Sequence, residues 1–197
     1  MKRMKIGRIT LVDPAAPADK KDKFGPEFDK VLTEFFDGPS QIVTVLVSDR
    51  DQVRPALVRL CDEEKCPLVV TTGGTGPGPG DFMPDATRGG LDRELPGFGE
   101  IMRAYSFEQV KVSILSRASA GVRGRSFVIN LPSRPKAVKF CLRIVRDGLV
   151  EALDQVAGVQ VTLRRDEIVV PLEKYLPFLK WLRVKPDPRG EHPYMSG

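Results

Sequence analysis

The chain has 197 residues, which suits one compact domain with a small appendage and is too short for two full domains. A hydrophobic fraction of 41% and a charged fraction of 29% exclude wholesale disorder. The net charge of +5 favours acidic partners, but the basic residues are scattered, so we do not expect nucleic acid as a ligand. The longest apolar runs fall far short of the roughly 18–20 residues that cross a bilayer, and we expect a cytoplasmic protein without a membrane span.

Short apolar runs alternate along the chain with segments of helical spacing, a pattern that predicts an α/β fold with a mostly parallel central sheet. Pro26 marks the start of the first predicted helix, Gly38-Pro39 marks its end, and Ser48-Asp49 precede the second helix. The predicted strands are Ile6–Val12, Gln41–Val47, Leu68–Thr72, Val110–Ser116 and Ser126–Leu131. Five helices are predicted. The first begins at Pro26, the second includes Val53–Cys61, and the other three cover Pro84–Glu94, Gly97–Phe107 and Arg134–Arg146.

The pattern changes after Gly158, where Val159–Leu163 and Ile168–Leu172 predict short strands and Tyr175–Trp181 predicts a helix. We therefore expect a principal domain over residues 1–157. Residues 158–197 are expected to form a divergent extension that packs on this domain or on a neighbouring subunit.

Cysteine and histidine chemistry is sparse in this sequence. Cys61, Cys66 and Cys141 lack the paired spacing of a zinc site, so buried or idle thiols are expected. The single histidine, His192, lies in a polar terminal stretch, where a solvated side chain is the commoner outcome. The composition therefore excludes His-based triads and His-rich metal sites.

A glycine- and proline-rich loop, Gly73–Asp81, follows the third predicted strand. Ligands of open parallel sheets bind beyond the carboxyl ends of the strands, where loops and helix N-termini present main-chain N–H groups. Glycines let consecutive N–H groups approach an anion, so phosphate is the expected ligand. The loop lacks the Gly-Lys-Ser/Thr ending of a P-loop, and glycine content alone is equally typical of a long turn.

Three aspartates lie near this loop in the predicted fold. Asp81 closes the loop and Asp49 ends a neighbouring strand, so these two side chains are expected to share a Mg²⁺ with phosphate oxygens. Capping of the following helix is the alternative for Asp49. For Asp85, near a helix start, we favour capping over a ligand role.

The loop belongs to a longer series of spaced motifs in one order. They are Thr71–Pro77, Asp81, Pro84–Thr87, Arg93–Arg103, Ile114–Arg117, Gly121, Asn130–Pro132 and Pro135-Lys136. At these residues the sequence resembles the molybdopterin adenylyltransferases, the MogA-like and MoaB-like group that includes the N-terminal domain of gephyrin. The resemblance runs from about residue 5 to residue 147.

The resemblance implies a three-layer α/β sandwich, usually a homotrimer. Its members are nucleotidyltransferases that adenylylate molybdopterin with ATP and Mg²⁺, ahead of molybdenum insertion by a partner protein. A molybdopterin-binding protein without adenylylation activity is the alternative. The implied catalytic and metal-binding residues are Asp49 and Asp81, the nucleotide-binding residues are Gly73, Gly74, Thr75 and Gly76, and the pterin-binding residues are Ser116, Arg117, Asn130, Pro132 and Ser133.

The chain departs from the family pattern at three places. Val12-Asp13-Pro14 stands where a Ser-Asp-Arg segment is usual, Met83 replaces a common threonine, and Ser133 replaces a frequent glycine. The absence of a histidine base agrees with the implied chemistry, because a phosphate monoester has a second pKa of about 6 and is already an anionic nucleophile at neutral pH.

Overall fold

The computed structural model describes residues 3–17 and 21–164. The chain divides into two compact units, Met1–Arg164 and Arg165–Gly197. The second unit lies outside the described residues, and so do the predicted strand Ile168–Leu172, the predicted helix Tyr175–Trp181 and His192.

The first unit is built on a six-stranded sheet with strand order β3-β1-β4-β7-β6-β5. Strands β3, β1, β4 and β7 are mutually parallel, whereas β6 runs antiparallel to β7 and β5 runs antiparallel to β6. A separate two-stranded antiparallel sheet pairs β2 with β8. The strands are β1 (Met4–Leu11), β2 (Phe36–Asp37), β3 (Ser40–Val47), β4 (Leu68–Thr72), β5 (Arg93–Glu94), β6 (Ala120–Arg123), β7 (Ser126–Leu131) and β8 (Thr162–Leu163).

Helices cover both faces of the main sheet. The helices are α1 (Gly25–Phe35), α2 (Val53–Leu57, continued by a wider turn over Val58–Glu63), α3 (Met83–Arg88), α4 (Gly97–Gln109), α5 (Pro135–Ile144) and α6 (Arg146–Ala152, continued over Leu153–Ala157). Short 3₁₀ turns occur at Arg50–Gln52 and Lys111–Leu115. No helix among the described residues has the length and apolarity needed to span a membrane.

Alternation along the central strands produces two hydrophobic cores, one on each face. Leu68 and Val70 of β4 pack in the core under α1, α4, α5 and α6, while Val69 between them packs in the core under α2 and α3. All five residues of β4 and all six of β7 are buried, as expected for central strands covered on both sides. The predicted three-layer sandwich with a mostly parallel sheet is confirmed.

The prediction of a strand over Val110–Ser116 is wrong. This segment forms the 3₁₀ turn Lys111–Leu115, in which Val112 is 68% exposed and Ile114 is 64% exposed. The strand that pairs with β7 on the side away from β4 is β6, which follows this turn a few residues later. Alternating apolar residues indicate an extended segment only when a neighbouring strand is available to pair with it.

Three other element boundaries also differ from prediction. The helix predicted over Pro84–Glu94 ends at Arg88, because Gly89-Gly90 follow, and Arg93–Glu94 forms β5 instead. The helix predicted over Arg134–Arg146 is divided at Val145 into α5 and α6. Of the strand predicted over Val159–Leu163, only Thr162–Leu163 pairs, with β2 as its partner.

The three cysteines are buried free thiols, as predicted. Burial raises the pKa of Cys61, Cys66 and Cys141 to about 11 in each case. They are therefore protonated packing residues at neutral pH.

Candidate active site

The carboxyl ends of β3, β1, β4 and β7 lie at one edge of the sheet, because these four strands are parallel. The antiparallel β6 begins at the same edge, which brings the residues preceding Ala120 to it as well. Strands of a sheet lie about 4.8 Å apart, so β3 and β4, separated only by β1, are about 10 Å apart. The topology thus gathers the segments that carry the predicted site residues.

The glycine loop is shaped by two consecutive residues in the left-handed region. Gly73 has a φ of 86° and Gly74 a φ of 60°, conformations that side-chain-bearing residues rarely adopt. A Cβ at Gly74 would lie 2.6 Å from Leu11 Cδ2. The Gly74 carbonyl accepts from the Met83 N–H at 3.1 Å, which ties the loop to the start of α3.

Three successive main-chain amides of this loop are available to a ligand. The N–H groups of Gly74, Thr75 and Gly76 donate to no other group within the described part of the chain. Consecutive unpaired amides beside residues of positive φ form the kind of concavity that binds phosphate oxygens. The loop is therefore suited to the nucleotide-binding role predicted for Gly73–Gly76.

Asp81 folds back beneath its own loop. Its Oδ2 accepts from the Gly78 N–H at 3.0 Å, while no described residue donates to Oδ1. A Cβ at Gly76 would lie 2.7 Å from Oδ2, and one at Gly78 would lie 3.0 Å from it. The glycines at 76 and 78 therefore make room for this carboxylate.

Asp49 caps the turn that follows β3. Its Oδ1 accepts from the N–H groups of Asp51 at 3.0 Å and Gln52 at 3.1 Å. The capping alternative for Asp49 is thus confirmed, and it occupies only one carboxylate oxygen. The side chain is exposed, and Oδ2 accepts from no described residue.

The donor set fits a hard divalent cation. Asp49 and Asp81 each retain one carboxylate oxygen, and Mg²⁺ typically takes one or two carboxylates, with phosphate oxygens and waters filling its other positions. No group of three or more histidine, cysteine or acidic residues within residues 3–17 and 21–164 is arranged to hold a metal. A cation bound by these two carboxylates would take its other ligands from phosphate oxygens and water.

The prediction that Asp85 caps its helix is wrong. Helix α3 begins at Met83 without a side-chain capping bond, and Asp85 Oδ2 instead accepts from Arg117 Nη1 at 2.5 Å. The hydrogen bond from Arg117 lowers the pKa of Asp85, an effect partly opposed by burial. Arg88 and Arg50 add to this lowering of the pKa, which places the turn after Asp49 beside α3.

Arg117 binds the glycine loop at several points. Its main-chain N–H donates to Thr75 O at 2.8 Å, its Nε donates to Gly76 O at 2.7 Å, and its Nη2 donates to Asp81 O. All three guanidinium nitrogens are therefore engaged within the protein. The predicted contact of Arg117 with the pterin stays a prediction.

Asn130 is 2% exposed at the end of β7. Its Nδ2 donates to Thr71 Oγ1 at 2.8 Å and to Thr87 Oγ1 at 3.1 Å, and its Oδ1 accepts from the Ser119 N–H. These bonds join β4, β7, α3 and the segment before β6 beneath the edge. Its predicted role against the pterin also stays a prediction.

The other residues predicted for the pterin pocket are more accessible. Ser116 and Pro132 are half-buried and Ser133 is exposed at the start of the connection to α5. The Ser116 hydroxyl accepts from the Ala118 N–H at 3.3 Å. These residues lie on segments that follow the carboxyl ends of the parallel strands or precede β6, and their predicted contacts with a pterin stay predictions.

Sequence reasoning missed the part played by Arg103 of α4. Its Nη1 donates to Ala118 O at 2.8 Å and to Ser116 O at 3.2 Å, which fixes the segment that carries Arg117. Arg103 lies at the end of the matching run Arg93–Arg103, and that position was the only sequence signal for it. At the departure after β1, Asp13 Oδ1 accepts from the Ala15 N–H in a local turn.

Two curated relatives are named molybdopterin adenylyltransferase. The protein from Helicobacter pylori (strain ATCC 700392 / 26695) is 40% identical over 159 residues, covering 80% of this chain and 90% of the relative. The protein from Escherichia coli (strain K12) is 40% identical over 149 residues, covering 75% and 76% respectively.

Solved structures give the same relationship. The molybdopterin biosynthesis enzyme MoaB from Thermus thermophilus matches with a TM-score of 0.69 and 33% identity, covering 81% of this chain and 99% of that one. The tungsten cofactor synthesizing protein MoaB from Pyrococcus furiosus matches with a TM-score of 0.66 and 33% identity, covering 80% and 99%. The family model described as a probable molybdopterin binding domain matches residues 8–152, and the chain belongs to this family.

Proposed function

We propose that this protein is a nucleotidyltransferase that moves the adenylyl group of ATP to the phosphate of molybdopterin. The observation on which this rests is the arrangement at the carboxyl edge. Three amides of the loop that ends at Asp81 have no hydrogen-bond partner among residues 3–17 and 21–164, and within the same residues Asp81 and Asp49 each keep one carboxylate oxygen free of hydrogen bonds. Relatives at 40% identity that are named for this reaction support the proposal.

In the proposed reaction, a phosphate oxygen of molybdopterin attacks the α-phosphorus of ATP. One P–O bond forms, the bond to the leaving pyrophosphate breaks, and adenylylated molybdopterin and pyrophosphate result. The attacking phosphate is already anionic, so the chain supplies no base and instead positions the reactants and balances their charge. The amides of Gly74, Thr75 and Gly76 are proposed to hold the nucleotide phosphates.

Asp49 and Asp81 are proposed to bind Mg²⁺ through the oxygens that make no main-chain hydrogen bond. When bound, the cation neutralises negative charge on the phosphates. Ser116, Asn130, Pro132 and Ser133 are proposed to line the pterin pocket at the same edge. We propose the cytoplasm as the site of the reaction and a metal-insertion protein as the partner that consumes the activated product.

A homotrimer is proposed as the working form. An apolar surface patch supports the assembly, since Ile101, Val110, Val112, Ile114 and Leu115 are 40% to 68% exposed. The 3₁₀ turn that carries most of this patch packs on α4, and Ser116 follows it directly. Exposed apolar residues in one region typically mark an interaction surface.

The proposed function is tested by incubating the purified protein with molybdopterin, Mg²⁺ and ATP labelled at the α-phosphate. Label should pass to molybdopterin, with one pyrophosphate released for each adenylyl group transferred. Asp81→Asn should lower turnover by orders of magnitude, because the amide still accepts from Gly78 but carries no charge for the cation. Retained molybdopterin binding with no transfer by the wild type would favour the alternative, a binding protein without this activity.

A further inference from the structure

Arg117 bridges the two ends of the glycine loop. Its contacts reach Thr75 and Gly76 at the beginning and Asp81 at the end, while the apex of the loop lies between them. The planar guanidinium has N–H groups in fixed directions, so one side chain can bind several acceptors in one geometry. Its side chain is 37% exposed, so the loop contacts take up its donors without burying it.

Two of these contacts determine the direction of one amide at each end of the loop. In a planar trans peptide the C=O and the following N–H point in opposite directions. Thr75 O accepts from the main-chain N–H of Arg117, so the Gly76 N–H points away from Arg117. Asp81 O accepts from the guanidinium, so the Phe82 N–H points away from the side chain in the same way. The carbonyls face the arginine, and the amides at both ends of the loop face the opposite side.

Asp85 completes the arrangement from α3. It pairs with Arg117 Nη1 at 2.5 Å, and the resulting hydrogen bond lowers the pKa of its carboxyl. Asp85 therefore stays ionised at neutral pH and fixes the orientation of the guanidinium that binds the loop. It also sequesters one donor that a phosphate would otherwise attract.

We infer that Arg117 is a positioning residue: it holds the Gly73–Asp81 loop in the shape that presents its amides to the nucleotide phosphates, and Asp85 orients Arg117. The inference rests on the proposed function for its effect on the reaction. In this role Arg117 acts by holding the loop before any substrate binds, and not by contacting the substrate directly.

The distinguishing experiment measures amide hydrogen exchange in the nucleotide-free protein. The amides of Gly78, Asp81 and Met83 are hydrogen-bonded within the loop or to it, so their protection reports its shape. Arg117→Lys keeps the charge but cannot bridge three acceptors, and it should raise exchange at these amides by at least about tenfold. The matched control is Arg88→Lys on α3, whose arginine pairs with the exposed Glu94, and it should leave this exchange unchanged.

Protection of the β4 and β7 amides checks that each variant is folded. Asp85→Asn provides a second, milder variant, which should raise loop exchange less than Arg117→Lys and in the same amides. Unchanged loop exchange in a folded Arg117→Lys protein would overturn the inference. This outcome is independent of whether the wild type transfers adenylyl groups.

Kinetics supply the second arm. A loop displaced by about 1 Å can cost roughly 100-fold in rate, so Arg117→Lys should lower kcat/KM for ATP by 10- to 100-fold. Combining it with Asp85→Asn should add little, because both changes act on the same loop. Additive losses, or a defect confined to the KM for molybdopterin, would instead indicate direct substrate contact and would overturn the positioning role.

Discussion

Gly99→Ala is expected to destabilise the protein and impair its activity, whereas Gly97→Ala, two residues earlier on α4, should be tolerated. A Cβ at Gly99 would lie 2.0 Å from Ala118 O and 3.0 Å from Ala118 C, both backbone atoms. A Cβ at Gly97 would meet nothing within 4 Å. The two variants therefore add the same methyl group to one helix, at a crowded position in Gly99→Ala and at an open position in Gly97→Ala.

The size of the effect follows from the distance. Ordinary contacts begin at 3.4 Å, so α4 and the segment before β6 must separate by about 1.4 Å. Overpacking of this kind costs about 1–3 kcal/mol, and each kcal/mol lowers the Tm by about 2–4 °C in a chain of this size. The displaced segment carries Arg117, so a shift beyond about 1 Å should also cost up to about 100-fold in rate.

Thermal unfolding followed by circular dichroism, with adenylyl transfer measured at a temperature where both variants are folded, tests this prediction. Gly97→Ala should match the wild type or exceed it slightly, since alanine favours helix over glycine by up to about 1 kcal/mol. Equal Tm values for the two variants would refute the close approach of α4 to Ala118.

Three further predictions follow from the site and the surface. Asp49→Asn should lose turnover yet keep its Tm, because asparagine caps a helix as well as aspartate does. The control Asp51→Asn should change neither turnover nor Tm. A large fall in the Tm of Asp49→Asn would show that capping is the main role of Asp49. Light scattering should give the wild type a mass of three times the 21.8 kDa chain, and Ile114→Asp should give a smaller mass while the protein stays folded. An unchanged mass would show that this patch is not part of the subunit interface. The pKa of Asp85 is lowered by folding, so its contribution to stability is fully present above its ordinary value of 3.8 and is lost as the pH falls below it. The stability difference between wild type and Asp85→Asn should therefore shrink in acid, and a difference that grows there would contradict the ion pair.

Parts of this fold were predictable because their sequence signal depends on local structure alone. Leu68–Thr72 and Ser126–Leu131 are predominantly apolar or β-branched segments, as is typical of central parallel strands, and both predicted strands are confirmed. Strand β6 escaped prediction because it is short and contains Gly121, where an added Cβ would lie 2.5 Å from Arg93 O. The need for glycine at position 121 arises from a tertiary contact, so it produces no hydrophobic periodicity in the sequence.

The same distinction applies to the site. Asp49 and Asp81 were predictable as candidates because each follows a recognisable strand or loop, and parallel strands bring their carboxyl ends together. The network around Arg117 was not, because its side-chain partners Gly76, Asp81 and Asp85 lie 41, 36 and 32 residues away along the chain. Local spacing favoured a cap at Asp85, whereas the tertiary fold supplies an arginine that competes for the carboxylate.

The most direct test of the proposed adenylyl transfer is a crystal structure of the protein with Mg²⁺ and a non-hydrolysable ATP analogue. The triphosphate should lie against the amides of Gly74, Thr75 and Gly76, with the cation bound by Asp49 and Asp81. A triphosphate bound away from this loop, or a cation that neither carboxylate contacts, would contradict it.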